Sequence, residues 1–334
     1  MGVDIGYHAI KPNIIYEELI PYFMGKTDNV DRLLRQLARV WKNRIIANNF
    51  STLISSTIIE SREQLALFER LKRKIFSSSF PYFNPDLHIW GRPFFTVELD
   101  KDRMVDIITR FTTAVTDQEV LYIIKSQADL LGKSLFDNIL PKIKDSLDEV
   151  VLEDLINDLS SMVQRIKAMV EAAIYKNPFM GENGDKVDLC DELSNPFKLI
   201  DLLALGTPAW MDHGNVSPSL LILEAGLDFP PYFNYSRCLM GEIGKKVKLR
   251  RSRIIEENYC LGVVVYPEDM ATFLQFIDQH QRRFKEILIK KDWSSTDIEL
   301  SLQKMKEAVC FCLKTQSLFV ESADIFCPFS GHIP

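Results

Sequence analysis

At 334 residues the chain has room for one large domain or two ordinary ones. Its 46% apolar and 26% charged residues are those of a globular protein, and only 14 Gly and 15 Pro exclude a turn-rich all-β fold or long linkers. A formal net charge of −6 gives no overall electrostatic reason to bind nucleic acid or an anionic membrane.

Val3, Ile5, Tyr7 and Ala9 alternate with Asp4, Gly6 and His8, which predicts a half-buried strand. Between Met1 and Ile20 the polar residues Asp4, His8, Lys11, Glu17 and Glu18 interrupt any apolar core, so no secretory signal is expected. Gly6 stands where an acylation motif requires Ser or Thr. Pro12 suits the first turn of a helix running to about Met24, which Gly25 can end. A second helix is expected from Thr27 or Asp28, burying Val30, Leu33, Leu34, Leu37, Val40, Trp41 and Ile45. Ser61 with Gln64 forms a capping-box pattern that opens a third, through Leu65, Leu67, Phe68, Leu71 and Ile75.

Residues 77–85 read as loop and Leu87 to Leu99 as strand, bent at Gly91 and Pro93. Helices resume at Asp100 to Ala114 and at Asp117, the latter capped by Thr116 and Glu119. After a segment broken by Pro141 comes the strongest pattern in the chain. Leu152, Leu155, Ile156, Leu159, Met162, Val163, Ile166, Met169, Val170, Ala173 and Ile174 recur at helical spacing, with polar residues between them. That predicts one long helix with a single buried stripe. The turn formers between Lys176 and Pro196 suggest a boundary, dividing a helical lobe with two short strands (1–180) from a more irregular lobe ending in two long helices (181–334).

Leu261 to Tyr266 reads as a short buried strand, Pro267-Glu268-Asp269 opens a helix, and the overlapping caps in Ser294 to Glu299 open the last long one. Val97 to Met104 and Val263 to Met270 share a strand-into-helix grammar, a faint sign of duplication. Together these elements predict a predominantly α-helical α+β protein, with long amphipathic helices packed against a few short β-strands. Parallel βαβ winding is not expected, because the strands are few and far apart.

Chemistry is sparser than architecture. No P-loop, dinucleotide-binding glycine fingerprint, nucleophile elbow or HExxH is present. The six cysteines form no CxxC pair, which favours reduced, mostly buried thiols and a cytoplasmic setting; Cys310 and Cys312 should point to different sides. Asp4 and His8 share a strand face, but four strand residues span roughly 13 Å, too far for one metal ion. His280 fits a core histidine beside Ile277. No metal site is therefore expected at these histidines, and the residues name no cofactor.

The stretch with most site character is Gly206 to Asn215. Asp212 and His213 lie together in a Gly/Pro-bounded loop walled by Trp210, and His213 could serve as general base or metal ligand with Asp212 or Glu224 as its partner. Ser217-Pro218 then opens a short helix whose free N–H groups suit an anion. The competing explanation is that Asp212 and Asn215 are simply turn formers. Downstream, Phe229 to Tyr235 is dense in aromatics and either packs over the core or offers a docking wall that includes Tyr232, with Arg237 following. Residues 245–253 hold six positive charges in nine positions, and Lys246, Lys248 and Arg250 alternate with Val247 and Leu249 to make one basic face. The acidic stretch from Asp145 to Asp158 has six carboxylates and no base.

Three functions follow as expectations. The first is a non-catalytic interaction or ligand-binding protein using residues 206–253, with Trp210, Tyr232, Arg237, Lys246, Lys248 and Arg250 in contact with a protein partner or a second copy of the chain. The second is a hydrolase or metal-assisted enzyme centred on Asp212 and His213. The third, least favoured by the net charge, is nucleic-acid binding through Lys245 to Arg253.

Overall fold

The computed structural model describes residues 5–58, 106–107, 110–111, 113–128, 141, 144–145, 147–181, 183–206, 213–214, 216–252, 254–255 and 257–325. They fall in two units: Met1–Leu34 with Leu159–Ala204 and Met211–Phe326, and Arg35–Asp158 with Leu205–Trp210 and Cys327–Pro334. The protein is predominantly helical α+β, as its hydrophobic periodicity predicts. The helix expected from Ser61, the strand at Leu87 to Leu99, most of Asp100 to Ala114 and the first half of the suspected duplication lie outside the described residues.

Strand β1 spans Ile5–Ile10, and all six of its residues are buried, not half of them. A sheet covered on both faces needs no polar alternation, so Gly6 and His8 are as enclosed as Ile5 and Tyr7. The following helix opens at Pro12, widens into a π-helical stretch at Ile14–Leu19, where the Ile20 N–H reaches back to the Ile15 carbonyl, and closes as α1, Ile20–Phe23. Gly25, at φ +66°, ends it: the Lys26 N–H bonds the Pro21 carbonyl at 2.9 Å and the Gly25 N–H that of Tyr22 at 3.0 Å.

Helix α2 runs Asp31–Ile58, starting later than its apolar rhythm suggests because Asn29 accepts the Asp31 N–H at 2.6 Å and sets the entry. Its stripe is interrupted by buried Asn43, whose amide donates to the carbonyls of Phe111 (3.1 Å) and Ala114 (3.0 Å). Helix α3, Asp117–Ala128, carries the predicted capping box: Thr116 accepts the Glu119 N–H at 3.2 Å, and Glu119 accepts the Thr116 N–H at 3.1 Å. Helix α4, Leu152–Tyr175, matches its predicted extent to one residue, with Leu155, Leu159, Val163, Ile166, Met169 and Val170 buried.

Short helices α5 (Leu189–Ser194) and α6 (Phe197–Gly206) follow, the first capped by Asp188. After strand β2 (His213–Gly214) comes helix α7, Pro218–Glu224, capped by Ser217. Helix α8 is a single turn, Ile243–Lys246. Strand β3, Leu261–Val265, leads through a 3-10 turn into α9, Met270–Lys290, then α10, Ser295–Thr315, and β4, Leu318–Ala323.

The strands form one antiparallel sheet in the order β2-β1-β4-β3. In the central pair Tyr7 lies opposite Glu321 and Ala9 opposite Phe319. Phe319 stacks 5.3 Å from Tyr7 and 5.4 Å from Phe273 of α9, so one face of the sheet is closed by that helix. Strand β4 is absent from the sequence-based expectations, and it occupies the centre of the sheet.

Helix α10 begins where its cap predicts. Ser294 accepts the Asp297 N–H at 3.1 Å and donates to the Asp297 carboxylate at 2.6 Å. Ser294→Ala is expected to cost about 1 kcal/mol in urea unfolding at constant m-value, the usual effect of losing such a cap.

Candidate functional site

Residues 228–252 contain little regular structure, yet they are tied down at many points. Phe233 is buried, edge-on to Phe273 at 4.8 Å and to Phe276 at 6.0 Å. Asn234 bridges main chain to main chain with Val264. Farther on, Ser236 donates its hydroxyl to the Ser194 carbonyl (2.8 Å), and its N–H bonds Ser252 at 3.1 Å. The Ser194 hydroxyl accepts the Arg250 N–H at 2.6 Å, Arg237 donates to the Leu249 carbonyl at 3.1 Å, and Cys190 donates its thiol to Lys248 at 2.9 Å. Leu249 is buried beneath this lattice.

The expected strand or ribbon does not form, because Lys245 and Lys246 lie in the single-turn helix α8, yet one basic face results. Val247 is extended, and Lys246, Lys248 and Arg250 are exposed while Leu249 points inward. Arg250 is ion-paired, 2.5 Å from Asp191 and 3.6 Å from Asp188. Lys245, Lys246 and Lys248 have no ion-pair partner among the described residues. Glu242, the nearest acid in sequence, pairs with Lys26, whose hydrogen bond and charge, with smaller contributions from the Lys245 and Lys246 charges, hold its carboxyl below the ordinary range. Beside this strip Arg237 and Arg251 flank the Tyr235 ring, 5.6 and 5.7 Å from its centroid.

Tyr232 packs edge-on against Phe233 at 5.2 Å and reaches the Thr272 carbonyl at 3.5 Å. Burial, with Asp269 nearby, pushes its hydroxyl up to about 12. It lines a groove of about 370 Å³ between Asp228–Tyr232 and one side of α9. The aromatic run thus both packs over the core and forms a wall.

Trp210 and Asp212 lie outside the described residues. His213 is placed by its main chain, opposite Gly6 in the sheet. Glu224 forms an ion pair with Lys291 at 2.6 Å. His8 bonds Ser322 through Nε2 at 2.7 Å, and His280 lies between Phe276 and Phe284. Cys310 is exposed and Cys312 buried, on different sides of their helix as expected, but the cysteines are not mostly buried: Cys190, Cys238 and Cys260 are half-buried.

Sequence reasoning overlooks a buried polar cluster on β4. Glu321 is fully enclosed. Its Oε1 accepts the hydroxyls of Ser217 and of Ser219 (3.3 Å), and Oε2 accepts the Val263 N–H at 3.1 Å. The Val263 N–H is available because β3 shifts register between Leu261 and Val264, and Gly262 leaves the space a side chain would fill. Tyr7, directly opposite, donates to the Val216 carbonyl. The Ser217-Pro218 helix start, where an anion is expected, is therefore filled by the chain's own Glu321 carboxyl group. The one signal in the sequence is Gly262 inside a short apolar strand.

A second cluster joins Tyr16, Tyr266 and Cys238. The two hydroxyls are 2.8 Å apart, and Tyr16 also reaches the Cys238 carbonyl at 3.4 Å. Burial pushes the Cys238 thiol up to about 11 and the Tyr266 hydroxyl to about 12, which keeps both protonated and poor nucleophiles at neutral pH.

Among the described residues no three His, Cys, Asp or Glu side chains are grouped to hold a metal ion, and no helix is long and apolar enough to cross a membrane. Comparison with protein-family models, curated proteins and solved structures finds no match to this chain.

Proposed function

We propose that the protein is a non-catalytic binding protein that recognises an acidic polypeptide segment through its 228–252 surface. The observation that carries this reading is the strip Lys245, Lys246 and Lys248, exposed and without ion-pair partners among the described residues, in a chain of net charge −6. Its main chain is fixed in advance by Ser194, Cys190 and Arg237, so little conformational entropy is lost when a partner binds. The groove beside Tyr232 and the Arg-flanked Tyr235 supply rigid aromatic contacts of the kind found in interface anchors. A cytoplasmic setting fits the thiols of Cys190, Cys238 and Cys312, which lie outside any disulfide.

The test is titration of a labelled oligoglutamate peptide, and separately of a single-stranded oligonucleotide, at low and physiological salt. Peptide binding should weaken with salt, and the triple variant Lys245→Glu/Lys246→Glu/Lys248→Glu should lose about tenfold or more in affinity. Three exposed ion pairs at ~0.5–1 kcal/mol each exceed the roughly 1.4 kcal/mol of one decade. No peptide binding at low salt overturns the reading; oligonucleotide binding with a steep salt slope, in the peptide's place, would transfer the strip to phosphate recognition.

A further inference from the structure

Three elements of the first unit meet at one carboxylate. From β1, Tyr7 stands directly across from Glu321; from β3 come Gly262 and the Val263 N–H; from the start of α7 come its cap Ser217 and, in its first turn, the Ser219 hydroxyl and N–H. Among the described residues Glu321 has no ion-pair partner, and the groups that face it there are Tyr7, the two serines and main-chain N–H donors. We propose that Glu321 is a proton-operated latch: neutral, it fastens residues 216–224 to the sheet, and ionised, it lets them open.

The arrangement suits both states unequally. A neutral carboxyl continues to accept on one oxygen and donates a hydrogen bond from its own O–H to a serine oxygen, and Ser217 and Ser219, 3.1 Å apart, complete the chain of bonds. An ionised carboxylate keeps its hydrogen-bond donors but sits fully buried with no countercharge among the described residues, which favours escape to water. Burial raises the carboxyl from 4.5 to about 7, against the lowering effect of the serine and Val263 bonds. Once opened to water, the group titrates near its ordinary value. Between those two values the closed form holds more protons than the open one, so opening becomes easier as pH rises through the window. What it releases is α7 and the turn before it, next in sequence to β2. This inference is independent of the proposed binding function.

Native-state hydrogen exchange on the intact chain tests it, with rates corrected for intrinsic pH dependence. Protection of the Leu221 and Ala225 amides, bonded within α7, should fall on the order of a hundredfold from pH 5 to pH 8. Amides in the middle of α10 should change by less than a few-fold. Glu321→Gln, neutral at every pH, should abolish the slope. Ser219→Ala, which removes one donor to the carboxylate, should move the midpoint upward and serves if the Gln variant fails to fold. The latch is overturned by a flat wild-type profile, by equal loss of protection in α7 and α10, by a slope that survives Glu321→Gln, or by an unmoved midpoint in Ser219→Ala.

Discussion

Gly262→Ala is expected to destabilise the protein by about 3 kcal/mol or more, measured as a fall in urea midpoint at unchanged m-value. A Cβ at residue 262 would lie 2.1 Å from Glu321 Oε2 and 2.6 Å from its Cδ, well inside contact distance. The obstacle is no free side-chain end. It is a carboxylate enclosed on every side and held by Ser217, Ser219 and Val263. Moving it breaks those bonds and leaves buried donors unpaired, each costing about 1–3 kcal/mol. Moving β3 instead disturbs Leu261, Val263, Val264 and Val265, all buried. A double-mutant cycle separates this clash from a general weakness of Ala in the strand. Glu321→Ala removes the obstructing atoms, so the pair should be less destabilised than the sum of its members by more than ~1 kcal/mol. Simple additivity would show that the space beside Gly262 is not reserved for Glu321.

How far this chain could be read from its residues depends on where local and tertiary signals coincide. Helix α4 is legible because it buries one stripe and wets the other face, and the Thr116 and Ser294 caps are legible because their bonds lie within four residues. Strand β4 is not. Leu318-Phe319-Val320-Glu321-Ser322-Ala323 is buried on both faces and shows no alternation, and it follows α10 without a Gly or Pro. The turn between them is made by Gln316 in the left-handed region, at φ +51°, a conformation that sequence assigns first to glycine. Glu321 was hidden for the same reason, since a carboxylate usually marks a solvated position. The basic strip was visible because alternation of Lys246, Lys248 and Arg250 with Val247 and Leu249 sets its exposure. Its anchorage was not, because Ser194 and Cys190 are more than fifty residues away in the chain. The pairing of Arg250 with Asp188 and Asp191 was equally beyond reach, so the strip offers one cation fewer than the sequence suggests.

The other large effect is expected at Phe233. Phe233→Ala should cost about 3–5 kcal/mol, the range for emptying an enclosed aromatic site. The ring is 1% exposed and sits at the junction between the irregular 228–252 segment and α9, 4.8 Å from Phe273 at an interplanar angle of 86°. Phe273 in turn packs on Phe319 in the sheet, so this edge-to-face chain connects the loop to the centre of the fold. Truncation removes the outer of three aromatic tiers, and the flanking turn cannot simply collapse into the gap. Asn234 is pinned to Val264, and the Phe233 N–H is bonded to the Pro230 carbonyl at 2.9 Å. Phe233→Leu should recover more than half of the loss, because it restores most of the volume but none of the ring geometry. The basic strip is held by other bonds, to Ser194 and Cys190, so residual folded protein should still bind oligoglutamate with near wild-type affinity. A cost below about 1 kcal/mol would mean the segment is not anchored through this ring, and loss of peptide affinity in the folded fraction would mean the strip depends on it after all.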